Sequence, residues 1–576
     1  MKEASICFRL LRSLGARRAF WLGGPLVLYV WTLSGPFTFD DIHLLLKTER
    51  FIRGESPRLD LFRFAPTEAA WRSLRSRGTY PWWSPEHHRI DFFRPVAEFA
   101  FYLDTRLFGR APLWHRLVSF FLFAGVLLVL HRFFSLVSGS AVHAGIATFF
   151  FGVSQTVTQP VTFISNRSDL LVMLGVIGAA IAYWSAGDAH RIRSLALGIC
   201  GFALALLSKE SGVAMAGVVT AHALMRRRQP IGRAPNRTRT VLTIVMFLMG
   251  LAYLVFYLTS RSPRPDVGAG GLGLFLQAAR SGGLYAAVWA LGVPISLLLF
   301  APPIWTTAVA TAGGLVALIV IRQLWQSSRH TPGVLFFALW AGMFTLPALL
   351  VHPESRALAI ASIGWAYLLA TLLAPRADAP ASVPIWLRHG LLAANGIVSV
   401  CCAIGTVLVT NQMEQTARAR MVEYCKAQPR PIRDGDELII AEAASPYESI
   451  CAGDRLELLT GRRDVAVTIL TVPGTRAEVT RENDHTLLLR ADSPQLFDSP
   501  AHRLTLGPDW QPKVGYTFQL RDFTVEIADL RSDGTVAALR LHFEDALDSP
   551  KLHFYPPTFA AIARGAAPRR GGPGHD

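Results

Sequence analysis

Long apolar runs alternate with short polar stretches over the first 410 residues of the chain. The first run, Phe20 to Phe37, has about eighteen residues, which is long enough to cross a bilayer as a helix. Similar runs follow at roughly 115–136, 141–160, 168–186, 194–207, 211–225, 241–259, 281–301, 303–321, 333–351, 356–373 and 390–410. The pattern predicts a multi-pass α-helical membrane protein with about 11–12 spans.

A polar, aromatic-rich stretch separates the first two runs. It extends from Asp40 to Pro112 and is too long for a simple turn. Its aromatic residues, among them Trp71, Trp82 and Trp83, are of the kind that favours the membrane–water interface. We therefore expect residues 40–112 to form a first outer loop with interfacial helices, within a membrane domain of residues 1–410.

The pattern changes after Thr410. Residues 411–428 predict a short polar helix, and residues 411–563 as a whole predict a β-rich soluble domain. Alternating runs that predict strands begin at Glu437, Val465, Thr486, Tyr516, Phe523 and Val536, and Ser532-Asp533-Gly534 between the last two is a hairpin signal. The Gly- and Arg-rich tail, 564–576, is typical of disorder.

Composition and charge agree with a membrane protein. The chain is 51% hydrophobic and 17% charged, with a net charge of +16. Its excess Lys and Arg residues cluster in loops such as Arg226–Arg228, as the positive-inside rule requires, and no nucleic-acid-binding motif is present. This distribution predicts a cytoplasmic N-terminus and an extracytoplasmic C-terminal domain. The Arg/Ala/Gly-rich composition suggests a bacterial cytoplasmic membrane. Basic residues at 322–329 favour a re-entrant or interfacial segment between 281 and 321, where Pro294, Pro302 and Pro303 would permit one.

The cysteines give no clear signal. Cys425 and Cys451 both fall in the predicted extracytoplasmic domain, and whether they form a disulfide stays open. No His/Cys cluster has the spacing of a metal site, so no cofactor is predicted, although a divalent metal is left open.

Two adjacent aspartates, Asp40 and Asp41, directly follow the first apolar run. One could act as a general base that takes a proton from an acceptor hydroxyl, while the other positions it. Alternatively, one of them could cap the helix that begins with Ile42. Because a cap needs only one carboxylate, we predict a catalytic role within the pair.

Basic residues recur at predicted outer ends of spans, against the general charge trend. They are Arg94, Arg167, Lys209 and Arg356. Together they could bind an anionic leaving group such as a lipid phosphate, or they could form ion pairs, for example Arg167 with Asp169. His43, His115, Asp169, Glu210 and Glu354 lie near them in the predicted topology and are candidates for supporting roles.

Five short motifs occur in a particular order. They are Phe39-Asp40-Asp41; Phe93-Arg94-Pro95-Val96 with Leu113-Trp114-His115; Ile164-Ser165-Asn166-Arg167-Ser168-Asp169; Leu206-Leu207-Ser208-Lys209-Glu210; and Ser355-Arg356 with Ser362-Ile363-Gly364. In this order they resemble the GT-C superfamily of polyprenyl-phosphate-sugar glycosyltransferases over residues 20 to about 373. The similarity is greatest to the O-mannosyltransferase-like branch that carries tetratricopeptide repeats.

The resemblance implies an inverting transfer of a sugar from a polyprenyl-phosphate donor to a hydroxyl acceptor at the outer membrane face. It implies that Asp40 or Asp41 is the catalytic base. The chain departs from the family pattern at Ser154 and Gln159, where neutral residues replace a histidine and a carboxylate, and the β-rich domain replaces the repeats.

Three functions follow from these patterns. The first is the glycosyltransferase, with a lipid, glycan or protein as its acceptor. The second is a non-catalytic membrane scaffold whose β-rich domain binds a glycan or a partner. The third is a transporter, which is disfavoured because charges lie at span ends and no repeat symmetry is evident.

Overall fold

The computed structural model divides into two compact units, one helical and one of mixed α and β structure. The described residues are 18–85, 87–187, 191–227, 236–260, 271–298, 303–327, 333–349, 353–374, 383–471, 477–491 and 510–565. The helical unit is Met1–Gly35 with Phe92–Val409, and the mixed unit is Pro36–Asp91 with Thr410–Asp576. The basic N-terminus up to Arg17, the loop 228–235 and the tail beyond Gly565 lie outside the described residues.

Helices follow one another over most of the described chain. In chain order they are α1 (Arg18–Val30), α2 (Asp40–Ile52), α3 (Glu68–Ser76), α4 (Pro95–Phe108), α5 (Pro112–Ser138), α6 (Ala141–Gly152), α7 (Thr158–Thr162), α8 (Arg167–Ser185), α9 (Arg191–Ser208), α10 (Ala214–Arg227), α11 (Arg237–Ser260), α12 (Gly271–Leu291), α13 (Ile295–Leu298), α14 (Pro303–Ser327), α15 (Val334–Leu349), α16 (Ala361–Leu373), α17 (Ile385–Leu392), α18 (Ser399–Lys426), α19 (Ala452–Thr460) and α20 (Pro557–Ala563).

Six helices within the described residues are long and apolar enough to cross a membrane. They are Pro112–Ser138, Ile164–Ser185, Arg191–Ser208, Arg237–Ser260, Ile304–Gln326 and Ile385–Lys426. Shorter apolar helices accompany them, and their buried side chains form one large apolar cluster. The predicted fold class, a multi-pass helical membrane protein with a β-rich C-terminal region, is confirmed. The count of 11–12 spans and the path between 281 and 321 stay predictions.

The turn between α5 and α6 shows how local sequence ends one helix and starts the next. Gly139 adopts the left-handed conformation, with φ of 65°, and its N–H donates to the carbonyl of Ser135. Ser140 then caps α6, because its hydroxyl accepts a hydrogen bond of 3.3 Å from the backbone N–H of His143. Two residues therefore suffice to reverse the chain.

Two predicted helix boundaries are wrong. The run 141–160 does not form one helix, because α6 ends at Gly152 and Ser154 starts a new turn by accepting from the N–H of Thr156. The polar helix 411–428 is not separate, because α18 runs without a break from Ser399 through an apolar first part to Lys426. No proline interrupts α18, and residues with good helix propensity follow its apolar part.

The mixed unit contains a three-stranded and a five-stranded sheet. The strands are β1 (Glu437–Glu442), β2 (Ala466–Thr471), β3 (Ala477–Asn483), β4 (Thr486–Ala491), β5 (Thr517–Gln519), β6 (Phe523–Leu530), β7 (Val536–Phe543) and β8 (Leu552–Tyr555). The order β2-β1-β8 is parallel, with α19 connecting β1 to β2. The order β3-β4-β7-β6-β5 is antiparallel, and the predicted hairpin joins β6 to β7 with Gly534 at φ of 81°. Strands β3 and β8 and helices α19 and α20 were not predicted.

The loop 36–91 belongs to the mixed unit and packs on its strands. The indole N–H of Trp82 donates to the carbonyl of Ile469 at 2.9 Å, and Trp83 is fully buried in the same core. Gly78 has φ of 77°, and a Cβ there would lie 2.1 Å from the carbonyl oxygen of Val467. The predicted interfacial placement of Trp71, Trp82 and Trp83 is therefore wrong: at 2%, 3% and 0% exposure they are core residues.

Candidate active site

Helix α2 of the mixed unit begins with the aspartate pair. Asp41 is fully buried, and its carboxylate accepts hydrogen bonds of 3.2 Å from the backbone N–H and the hydroxyl of Thr38. In return, the N–H of Asp41 donates to the carbonyl of Thr38 at 2.9 Å. These hydrogen bonds join the first turn of the helix to the residue two positions before it, so Asp41 has a structural role at the start of the helix.

Asp40 is half-buried beside a strained backbone position. Phe39 precedes it with φ of 46°, a conformation that bulky L-residues rarely adopt. The other non-glycine residue with positive φ in the described chain is Cys451, at 55°, and it belongs to the same unit. Burial, and then the Asp40 carboxylate among nearby charges, raise the pKa of Tyr80 well above its ordinary value. Backbone strain is thus stored around Asp40, which is a common feature of functional sites.

His43 lies one turn after Asp40 on α2. Its Nδ1 is 3.1 Å from Oδ2 of Asp454 on α19, and the two side chains are only 6% and 3% exposed. The Nε2 atom of His43 is buried without a hydrogen-bond partner among the described residues. Burial opposes ionisation of Asp454, but its pairing with His43, helped by Arg77 and Thr79, lowers the pKa of Asp454 from its ordinary value.

In the helical unit, all four predicted basic residues are paired with carboxylates. Arg94 pairs with Glu210, Arg167 with Asp104, Lys209 with Asp169 and Arg356 with Glu354. The structure thus brings the cations together with the predicted supporting residues Asp169, Glu210 and Glu354.

The segment 166–169 connects three of these pairs. The amide oxygen of Asn166 accepts a hydrogen bond of 3.2 Å from Arg356, and the Asp169 carboxylate accepts two from Lys209, at 2.7 and 2.9 Å. Arg167 lies between them and is 3% exposed. One short segment at the start of α8 therefore links motifs that are up to 190 residues apart.

Arg167 has a partner for each of its guanidinium nitrogens. They donate to the Asp104 carboxylate, to the hydroxyl of Ser119 at 3.1 Å and to the carbonyl of His115 at 2.7 Å. The ring of His115 in turn contacts the carbonyl of Gly109 at 3.0 Å. Arg167 and His115 therefore hold α4, α5 and α8 together.

Arg94 and Glu210 form a two-pronged ion pair. Nε and Nη2 of Arg94 donate to the two carboxylate oxygens at 3.1 and 2.7 Å, and the guanidinium lies 4.3 Å from the ring centre of Phe92. Burial raises the pKa of Glu210, but the charge and hydrogen bonds of Arg94 more than offset it, so the pKa falls to about 2. Glu210 is therefore ionised at neutral pH and is a poor candidate for a general base.

An apolar groove opens three residues beyond Glu210. It has a volume of about 350 Å³ and lies between α10 and α11. Its lining begins at Val213 and includes Gly217, Ala221, Phe247 and Leu254. An apolar chain is the kind of ligand that such a lining favours.

The segment that departs from the family pattern forms a neutral network. The hydroxyl of Ser154 is 2.9 Å from that of Thr156, which donates to Ser362 at 2.9 Å. The indole N–H of Trp289 also donates to Ser362, at 3.1 Å. Gln159 is half-buried on the following short helix. Hydroxyl groups thus occupy this region, where the family has charged side chains.

No group of three or more His, Cys, Asp and Glu side chains in the described part of the chain could hold a metal ion. Cys425 and Cys451 are free thiols. Burial raises the pKa of Cys451 well above its ordinary value, so this thiol stays protonated at neutral pH.

Sequence reasoning missed Asp104 and Asp454, the partners of Arg167 and His43. Asp104 gave a usable signal, since it is a carboxylate within an apolar helix. Asp454 gave none, because it lies 411 residues from His43 in an ordinary helical segment.

Solved structures match this chain at low identity, with TM-scores of 0.40 to 0.42 for the three described below. ArnT from Cupriavidus metallidurans, bound to undecaprenyl phosphate, matches with a TM-score of 0.42 and 11% identity over 78% of this chain and 85% of that chain. An oligosaccharyltransferase from Archaeoglobus fulgidus, in complex with Zn and sulfate, matches with a TM-score of 0.42 and 11% identity over 78% of this chain and 62% of that chain. AglB from the same organism, in complex with an inhibitory peptide and a dolichol-phosphate, matches with a TM-score of 0.40 and 14% identity over 78% of this chain and 65% of that chain.

This chain spans less than two thirds of the two oligosaccharyltransferase chains. No protein-family model and no curated protein matches it. These structures do not test the predicted similarity to the branch with tetratricopeptide repeats. At this level of similarity, function has to be inferred from the residues of this chain.

Proposed function

We propose that the protein is a membrane glycosyltransferase that moves a sugar from a polyprenyl-phosphate donor to a hydroxyl group of a lipid, glycan or protein acceptor. The observation that carries the proposal is the difference between the two adjacent aspartates. Asp41 is buried with its carboxylate hydrogen-bonded to Thr38, while Asp40 is half-buried next to the strained Phe39. Asp41 is thus engaged in the start of the helix, and the backbone strain beside Asp40 supports a role in chemistry for Asp40.

In the proposed reaction, Asp40 takes the proton of the acceptor hydroxyl as its oxygen attacks the anomeric carbon of the sugar. The bond from that carbon to the phosphate oxygen breaks, and its electron pair stays on the polyprenyl phosphate. Attack from the face opposite to the leaving group inverts the configuration at the anomeric carbon. A positioned carboxylate contributes about 10²–10⁴-fold to a step of this kind.

We assign the donor phosphate to the partly exposed cations of the helical unit. The side chains of Arg94, Lys209 and Arg356 are 11%, 20% and 35% exposed, so a phosphate oxygen could reach them. Arg167 is buried and fully engaged, which supports a positioning role for it rather than direct contact with the donor. The apolar groove that begins at Val213 would take the first part of the lipid tail.

We also propose that the reaction takes place at the outer face of a bacterial cytoplasmic membrane. The concentration of Arg and Lys in alternate loops supports a cytoplasmic N-terminus and an extracytoplasmic C-terminal domain. Polyprenyl-phosphate sugar, the acceptor and membrane lipids are the expected partners.

The proposal is tested by sugar transfer with full-length protein in nanodiscs, supplied with a panel of radiolabelled polyprenyl-phosphate sugars and membrane-extract acceptors. We expect labelled product of inverted configuration from the wild type and at least a 100-fold lower rate from Asp40→Asn. The matched control is Glu49→Gln, because Glu49 is an acidic residue on the same helix that pairs with Arg53. A product of retained configuration, or equal rates for the wild type and Asp40→Asn, would contradict the proposal.

A further inference from the structure

The mixed unit contains a buried ring nitrogen, Nε2 of His43, whose hydrogen-bonding capacity is not used among the described residues. His43 is 4% exposed, its Nδ1 is paired with Asp454, and its Nε2 has no hydrogen-bond partner among the described residues. A buried polar atom without a partner destabilises the folded state, because it has lost its hydrogen bonds to water. A hydrogen-bond partner that forms only during the reaction would explain why this nitrogen has none before it.

The pairing with Asp454 determines which nitrogen of His43 carries the hydrogen. An ionised carboxylate can only accept, so the Nδ1 of His43 donates to it. In the neutral ring, Nε2 is then a bare acceptor. A hydrogen-bond donor is therefore the only kind of group that can satisfy it.

The position of His43 on α2 relates it to Asp40. Residues i and i+3 of a helix share a face, with Cβ atoms about 5–6 Å apart, so the side chains of Asp40 and His43 can meet. Both Asp40 and Asp454 act electrostatically on Tyr80 and Cys451, which places all five residues in one cluster of the mixed unit. Two of the elements in this cluster start at strained residues, since Phe39 precedes α2 and Cys451 precedes α19.

We propose that His43 and Asp454 form a proton relay for Asp40. The inference rests on the proposed function, in which Asp40 is the base. While Asp40 is ionised it has no hydrogen to donate, so Nε2 stays unpartnered. Once Asp40 has taken the acceptor's proton, its new O–H donates to Nε2 and can pass the proton on, and Asp454 then faces an imidazolium. This interaction exists only after proton transfer has begun, so it stabilises the transition state and not the ground state.

The relay gives the C-terminal part of the chain a role in catalysis, because Asp454 lies on α19. The charged and titratable groups around His43 are Asp454 on α19, Asp40 and Lys47 on its own helix, and Tyr80 and Cys451 in the cluster. Asp454 also lies in the field of Arg77 and Glu457, which pair with each other. The ring itself packs on Phe64, with centroids 5.4 Å apart.

The kinetic test compares His43→Gln and Asp454→Asn with the wild type in full-length protein in nanodiscs. We expect kcat to fall about 10–100-fold with KM for donor and acceptor nearly unchanged, and the acid limb of the kcat–pH profile to change. Asp454→Glu keeps the carboxylate and should recover part of the rate. Asp436→Asn is the control, because Asp436 forms a similar buried pair with His553 at 2.9 Å and should leave kcat per folded molecule at the wild-type value.

If both relay variants keep the wild-type kcat and pH profile while Asp40→Asn is inactive, the relay is refuted and the proposed function stands. If Asp40→Asn is fully active, the proposed base itself is wrong.

A second measurement does not depend on turnover. Imidazole ¹⁵N NMR of the full-length protein should show His43 as a neutral ring with its hydrogen on Nδ1. In Asp40→Asn the amide N–H mimics the donor of the protonated base, so the Nε2 resonance should move upfield. A hydrogen on Nε2 in the wild type, or an unchanged Nε2 resonance in Asp40→Asn, would overturn the relay.

Discussion

The ion pair between Glu414 and Arg455 predicts a large loss of stability when one partner is removed. Both side chains are 0% exposed, and the guanidinium donates to the two carboxylate oxygens at 3.0 and 3.3 Å. In Glu414→Ala the guanidinium would keep only the carbonyl of Glu448, at 3.3 Å. An uncompensated buried charge of this kind costs about 3–5 kcal/mol. For a unit of this size, that lowers the unfolding midpoint by roughly 10 °C.

The assay is thermal unfolding of the full-length protein in detergent, followed by intrinsic fluorescence. Glu423→Ala is the matched control, because Glu423 lies on the same helix in an exposed pair with Arg420, and it should change the midpoint little. The double variant Glu414→Ala/Arg455→Leu should be more stable than Glu414→Ala, since it removes the buried guanidinium that Glu414→Ala leaves without its carboxylate. Equal midpoints for Glu414→Ala and Glu423→Ala would refute the reasoning.

Three further predictions concern other parts of the molecule. Burial, and then the charge of Asp522, raise the pKa of Glu437 from 4.5 to about 8. The folded state therefore binds this proton more tightly than the unfolded chain does, and the free energy of unfolding falls as the pH rises from 4.5 to about 8. Between about pH 5 and about pH 9 the wild type should lose on the order of 4 kcal/mol of unfolding free energy from this group. Unfolding midpoints at the two pH values should show that Glu437→Gln lacks this loss. Ala221→Trp fills the apolar groove and should weaken binding of a polyprenyl phosphate. The control Leu128→Trp, at an exposed apolar position, should leave the affinity unchanged. Equal affinities for the two variants would show that the groove does not bind the donor. Lys209→Met should weaken donor binding about tenfold, measured by scintillation proximity, and an unchanged affinity would exclude Lys209 from phosphate binding.

The fold class could be predicted from the sequence because its signals are local. Apolar runs of bilayer length appear as helices such as Pro112–Ser138 and Arg237–Ser260, and alternating residues appear as strands β6 and β7 with a Gly534 turn. The end of the helix at Gly152 was not predicted, because the run 141–160 is apolar on average and a single capping residue, Ser154, starts the next turn.

The place of the first outer loop could not be predicted, because it depends on contacts between distant residues. Trp82 donates to Ile469, 387 residues away, and no local pattern distinguishes a core tryptophan from an interfacial one. For the same reason, the sequence indicates the cations of the candidate site but not their partners. From the sequence, Arg167 is a candidate for binding an anion, and only the structure shows that it pairs with Asp104.

The most direct test of the central claim compares Asp40→Asn with Asp41→Asn in sugar transfer, with each rate normalised to the folded fraction. The two aspartates are neighbours of identical chemistry, so they serve as controls for each other. We predict that Asp40→Asn unfolds like the wild type but loses at least 100-fold in rate. Asp41→Asn should unfold earlier, because the hydrogen bonds that its carboxylate accepts from Thr38 are weakened, and should keep most of its rate per folded molecule. The reverse pattern, with transfer lost in Asp41→Asn and kept in Asp40→Asn, would contradict the account.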